Sequence, residues 1–203
     1  MAATRLLLMR HGEPAAEPGR LLGSRIDPGL SLRGRADSAE AGSRLRQRIG
    51  VGLVVCSPQR RAVETALLAF PSTAITLDER LEEQDFGELT GLTWPEAKRS
   101  HGDRARAWRS GAAAAPGGES PEELRARAVA AATAAAAANA NPNADGEIVL
   151  MTHHTPIRAL IASARGWPAA DWRRISVPWT GLRVVRCRAL GIVGDVAGVV
   201  AAR

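Results

Sequence analysis

Lysine is nearly absent from this chain: of its 27 basic residues, Lys98 is the single lysine and 26 are arginine. Tyrosine is missing, and phenylalanine and cysteine occur twice each in 203 residues. With no dense block of Lys and Arg and few rings to stack on bases, a nucleic-acid partner is not expected. Cys56 and Cys187 lie on separate apolar segments without a Cys-x-x-Cys spacing, which excludes a zinc knuckle and a disulfide framework. Both are expected to be buried thiols. No apolar run approaches the roughly 18 to 20 residues of a membrane span, and Arg10 ends the Leu6-Leu7-Leu8-Met9 patch too soon for a signal peptide. The expectation is a cytoplasmic protein without a membrane partner. What is there is ordinary globular composition, 45% hydrophobic and 24% charged, with a net charge of +6. An arginine-rich surplus of that size favours a small anionic ligand held in a pocket.

Short apolar runs alternate with helical patterns along the whole chain. Arg5 to Arg10, Val51 to Cys56, Ala74 to Leu77 and Glu147 to Met151 read as buried strands, each stopped by a polar turn. Ser31 to Arg48 reads as a helix with Ser31 at its cap. Ser57-Pro58 is expected to start a helix running through Leu68, with Ser as cap and Pro at the first helical position. One or two helices are expected over Thr93 to Arg109, a flexible linker over Ala112 to Gly118, and an Ala-rich helix from Ser120 to about Ala138. A turn-rich break at Asn139 to Gly146 follows, then a helix from Ile157 to Arg165, and Gly181 to Arg188 with Ile192 to Val200 as a terminal hairpin or edge strands. This order predicts an α/β three-layer sandwich whose mostly parallel central sheet is flanked by helices. Ligands of such sheets bind beyond the carboxyl ends of the strands.

Three strand ends carry the polar residues this rule selects: Arg10-His11-Gly12-Glu13, Ser57 to Arg61, and Thr152-His153-His154. A neutral imidazole can attack phosphorus if its other ring nitrogen donates to a fixed acceptor. Arg10 and Arg61 offer planar donor forks that match phosphate oxygens. The stretch Arg80 to Gly87 supplies carboxylates for proton transfer. In it, extended alternation would send Glu83 and Asp85 one way and Glu82 the other, with Asp85 as the reserve acid. A shuffled chain of this composition would contain Arg-His-Gly about 0.05 times, so the tripeptide is weak alone and gains weight from its strand-end context. From Cys56, a cysteine-phosphatase spacing would place its arginine at Ala62, so that chemistry is set aside. The chain also lacks a His, Asp or Glu cluster with metal-ligand spacing.

Four separated motifs resemble those of the histidine phosphatase superfamily, the phosphoglycerate mutase-like proteins. They are Leu8-Met9-Arg10-His11-Gly12-Glu13, Ser57-Pro58-Gln59-Arg60-Arg61-Ala62, Leu81-Glu82-Glu83-Gln84-Asp85-Phe86-Gly87 and Met151-Thr152-His153-His154-Thr155-Pro156-Ile157-Arg158. Pro116-Gly117-Gly118-Glu119-Ser120 also resembles a loop before a helix in phosphatase members. The resemblance implies one domain over residues 1–203, with a helical cap-like insertion around 92–120. It implies that His11 is phosphorylated, that Arg10, Arg61 and His153 hold the phosphoryl group, and that Glu83 donates the proton. Arg60 is the rival to Arg61. No cofactor and no metal are implied, and family members are often dimers. Glu13 and His154 are candidate substrate contacts, although a lone strand-end histidine such as His154 or His101 is more often structural. His154 stands where many members have a small residue.

The activity this implies is hydrolysis of a small phosphorylated metabolite through a phosphohistidine. A phosphoglycerate mutase and a non-catalytic anion-binding member of the fold are the alternatives. After Gly91 the chain passes directly to Leu92-Thr93-Trp94-Pro95-Glu96, without the basic segment with which mutases of the family enclose substrate, and this favours water access. The five tryptophans are expected in packing roles.

Overall fold

Leu6, Leu7, Leu8 and Met9 are all buried, so both faces of β1 (Thr4–Arg10) need a cover. The computed structural model, which describes residues 3–138, 146–188 and 191–200, supplies it with helices. The other strands are β2 (Val51–Cys56), β3 (Ile75–Leu77), β4 (Glu147–Thr152), β5 (Leu182–Arg188) and β6 (Gly191–Val200). They form one sheet in the order β3-β2-β4-β1-β5-β6. β1, β2, β3 and β4 pair in parallel, whereas β5 is antiparallel to both β1 and β6. The expected sandwich and terminal hairpin are both present.

Alternation along the strands sorts the core. Leu6, Leu8, Ile148 and Leu150 face α4 (Pro121–Ala138) and α5 (His154–Arg165). Leu7, Met9, Val149 and Met151 face α1 (Leu32–Arg46) and α2 (Arg60–Ala69). Both cysteines are buried, and burial pushes the Cys56 thiol up to about 12. Among the described residues no helix is long and apolar enough to cross a membrane.

Helix ends follow cap chemistry with two shifts. Ser31 caps α1 as expected, its side chain accepting from the Gly34 N–H at 2.9 Å. α2 instead begins at Arg60 with Gln59 as its cap, and Ser57 Oγ meets both the Gln59 N–H at 3.3 Å and His153 Nε2. α5 begins at His154, three residues before expectation; Pro156 falls in its first turn, where its missing N–H costs nothing. α3 (Trp94–Ser110) is two helical pieces joined at Gly102, whose φ of 50° breaks the helix. A Thr93–Glu96 capping box starts it.

The segment expected as a flexible linker is pinned. Pro116 O accepts from the Glu88 N–H at 2.8 Å, and the Glu119 N–H donates to Asp85 O at 2.9 Å. Gly87 permits this contact, since a Cβ there would stand 2.1 Å from Pro116 O. The break expected at 139–146 lies outside the described residues except for Gly146.

Candidate active site

Pairing register sets the site. Arg10 sits opposite Thr152 and Cys56 opposite Met151, so β1, β4 and β2 end level with one another. The ladder continues past those ends: the His11 N–H donates to Thr152 O at 3.0 Å and the Ser57 N–H to Met151 O at 2.9 Å. His11, Ser57 and His153 are therefore side by side. Next to them opens a cavity of about 730 Å³ whose wall includes Arg10, His11, Arg61, Glu83, His154 and Arg158.

The His11 and His153 rings are 4.9 Å apart between centroids. His11 Nδ1 lies 2.7 Å from Gly12 O; a carbonyl only accepts, so Nδ1 carries the proton and Nε2 keeps its lone pair. Burial, then the charges of Arg61 and Arg10, hold the His11 imidazole well below its usual range, hence neutral. Gly12 is in turn anchored by its N–H to Thr65 Oγ1 at 2.9 Å. His153 is wholly buried and likewise held neutral, by burial and then by His11, Arg61 and Arg10. Its Nε2 shares a 2.8 Å hydrogen bond with Ser57 Oγ, while its Nδ1 has no protein partner.

Two guanidinium groups are fixed beside this pair. Arg61 is 1% exposed; its Nη1 donates to Ile26 O at 3.0 Å and the Asp27 carboxylate at 2.9 Å and its Nη2 to Gly23 O at 2.8 Å, which uses three of its five N–H groups. Arg10 donates to Val177 O and lies with its guanidinium carbon 3.4 Å from the Trp179 ring centroid. Burial lowers Arg10 to about 10, against the opposing pull of Glu83, so it stays charged at neutral pH. Glu83 is held by N–H groups, Gln84 at 2.9 Å and Thr155 at 3.2 Å to Oε1. Its own N–H donates to Gln59 Oε1 at 2.8 Å, so the second motif positions the acidic segment.

Not every expected residue reaches the cavity. Glu13 does not: its carboxylate accepts from Ser31 Oγ at 2.8 Å and so braces the α1 cap. Asp85 does not either, because it pairs with Arg25 at 2.8 Å and lines a neighbouring depression with Glu82 and Glu83, of which Glu83 alone also lines the cavity. The expected alternation fails since 79–81 form a 3-10 turn and Asp85 Oδ1 caps the Gly87 N–H. Arg60 points to Glu64 at 2.8 Å and does not line the cavity. His154 does line it, and burial, then Arg10 and Arg158, push its imidazole down to about 3.

Sequence reasoning gave Arg158 no role of its own and expected Trp179 in packing, whereas both line the cavity. Arg158 stands one helical turn after His154, a spacing that flags it; its Nε donates to Ile175 O at 2.8 Å. Trp179 has no such signal. The antiparallel pairing of β5 to β1, continued by Arg10 N–H to Gly181 O at 3.1 Å and Thr180 N–H to His11 O at 3.3 Å, sets its ring 5.1 Å from that of His11. The turn is strained, with the β-branched Thr180 at φ 54°. Among the described residues no group of three or more His, Cys, Asp or Glu could hold a metal ion.

A strand-end pair of neutral imidazoles flanked by two guanidinium groups and a carboxylate, on this sheet order, defines a class. The family model of the histidine phosphatase superfamily (branch 1) matches residues 6–194, and the chain belongs to that superfamily. A bifunctional protein of Mycobacterium tuberculosis is 34% identical over 165 residues, covering 79% of this chain but 44% of that protein, so the chain spans less than half of that relative's length. A glucosyl-3-phosphoglycerate phosphatase of the same organism is 31% identical over 193 residues, 90% of this chain and 86% of the relative. The solved structure of a mycobacterial glucosyl-3-phosphoglycerate phosphatase matches with a TM-score of 0.80 at 27% identity, covering 92% of this chain and 91% of the other.

Proposed function

We propose that the chain is a phosphomonoesterase that hydrolyses a small phosphorylated metabolite through a phosphohistidine. The observation that carries this reading is the tautomer of His11, with Nδ1–H on Gly12 O and the Nε2 lone pair free. His11 Nε2 attacks phosphorus in line, the P–O bond to the alcohol breaks, and Glu83 gives its proton to the departing oxygen. Arg10, Arg61 and His153 hold the phosphoryl oxygens, and the guanidinium charges oppose the charge that builds up on them. Glu83, now a carboxylate, takes a proton from water; the water oxygen attacks phosphorus, the P–N bond breaks and phosphate leaves. No metal or cofactor enters these steps. The relatives named as phosphatases support hydrolysis over phosphoryl return to the same substrate.

We read residues 1–203 as one domain, with the helix pair of α3 and the pinned segment after it, around 92–120, as a cap-like insertion beside the cavity. The reading includes a cytoplasmic location, no nucleic-acid partner, and the homodimer that the family resemblance allows. His154 is a substrate contact in this scheme.

His11→Ala is expected to abolish turnover of an aryl phosphate. Wild type quenched in alkali during turnover should retain base-stable, acid-labile phosphate on the protein, and the variant should retain none. Full turnover by His11→Ala refutes the reading; rapid interconversion of 3-phosphoglycerate isomers with little phosphate release replaces it with a mutase.

A further inference from the structure

Aromatic residues make up only 3% of the chain, five Trp and two Phe, and they are not spread evenly. Five of the seven line one cavity: Phe86, Trp94, Trp108, Trp172 and Trp179. Leu21 and Leu22 complete an apolar wall beyond the phosphate corner of Arg10, His11, Arg61 and Glu83. At about 730 Å³ the space far exceeds what a bare phosphate needs and matches a ligand with a sizeable organic group.

The hydrogen-bonding inventory of the same wall is one-sided: Arg20, Arg109, Arg158 and Arg173 add donors beyond the phosphate corner, but side-chain acceptors are few. It contains no Asp and no Asn, and Glu83 is its single carboxylate. The Gln84 amide nitrogen is already spent on Glu119 O at 2.9 Å, and Ser110 Oγ on Ala107 O at 2.9 Å. A polyhydroxy alcohol entering here would give up its water and find arginine donors but few acceptors for its hydroxyl protons. A flat apolar ring loses nothing of that kind and gains contact with indole and phenyl surfaces. The ring surfaces are also held in place: Phe86 and Trp108 meet edge to face at 5.0 Å, and the Arg109 guanidinium carbon lies 4.0 Å from the Trp94 ring centroid.

We infer that the preferred substrates are phosphate monoesters of alcohols bearing an aromatic ring, selected over sugar and glycerol phosphates by the wall of Phe86, Trp94 and Trp108. This inference rests on the phosphatase reading for its turnover and on the cavity wall alone for its selectivity. The alcohol's ring lies against that wall while its phosphate occupies the corner at His11.

The test compares kcat/KM for 2-phenylethyl phosphate, glycerol 3-phosphate and glucose 6-phosphate. All three are esters of primary alcohols, so their ratio reads recognition of the alcohol more than bond reactivity. Burial of one phenyl ring corresponds to an advantage of about 10- to 100-fold for the phenylethyl ester. Equal values, or a preference for either polyol ester, overturn the inference. Trp108→Leu is expected to bring the ratio down toward one. Trp108 also packs in a small apolar cluster, so wild-type calorimetry provides an arm independent of that variant. Binding of 2-phenylethylphosphonate at least 10-fold tighter than methylphosphonate upholds the selectivity even if no ester is hydrolysed, in which case the phosphatase reading alone fails. Equal phosphonate affinities overturn the selectivity even if all esters are hydrolysed.

Discussion

Lowering the pH from 7.5 to 5 should remove a large part of this fold's stability, and the reason lies in three imidazoles. Burial is the largest cause in each case: His11 and His153 are held well below the ordinary histidine range, and His154 is pushed down to about 3. In the unfolded chain all three titrate near pH 6.5. Above that value both states are neutral and the groups contribute nothing. Below it the unfolded chain takes up protons that the folded one refuses, so stability falls with pH. An imidazole that stays neutral in the fold then costs up to about 2 kcal/mol at pH 5, and the three together up to about 6 kcal/mol. That is comparable to the total stability of a domain, about 5–15 kcal/mol. Glu82 works in the opposite sense, since burial raises its carboxyl, but it is one group against three.

Urea unfolding at a series of pH values measures the effect. The free energy should fall by about 4 kcal/mol per pH unit once the unfolded histidines are charged, three protons being taken up. Replacing one of the three tests the assignment: His154→Asn should reduce the slope by about a third. A loss of less than about 2 kcal/mol between pH 7.5 and 5 would refute the reasoning, because the imidazoles would then be gaining protons inside the fold.

Two further substitutions probe the machinery around the histidines. His153 has a hydrogen-bond partner only at Nε2, so Ser57→Ala leaves a wholly buried imidazole with neither nitrogen paired. A loss of about 1–3 kcal/mol in unfolding free energy, with reduced kcat/KM, is expected, and unchanged values for both would contradict the pairing. Thr180→Gly relieves a left-handed backbone at φ 54°. The relief is about 1–2 kcal/mol and is offset by about 0.5–1 kcal/mol of glycine chain entropy, so thermal denaturation should show no loss and a gain of up to about 1.5 kcal/mol.

The strand ends were legible because burial on both faces leaves an unmistakable mark. Leu6 to Met9 and Ile148 to Met151 are runs that a central strand covered on both faces accommodates, and the polar residues that stop them fall at the same edge of the sheet. Helix starts were less legible. Ser57 carries the chemistry of a cap, and its Oγ accepts from the nearby Gln59 N–H while also bonding His153, a distant partner that no local rule sees. The acidic segment misled for a similar reason: alternation presumes an extended chain, and a 3-10 turn with the Asp85 cap bends this one.

By itself, then, the order of residues determined which side chains stand at the ends of β1, β2 and β4, since strand burial and parallel crossover are written in short-range pattern. Only the tertiary structure decided what surrounds them. Asp27 meets Arg61 across 34 positions, and Trp179 is carried onto Arg10 and His11 by the antiparallel pairing of β5 with β1. Contacts of that kind depend on how distant backbones register, and periodicity along one segment holds no record of the partner that another segment will bring.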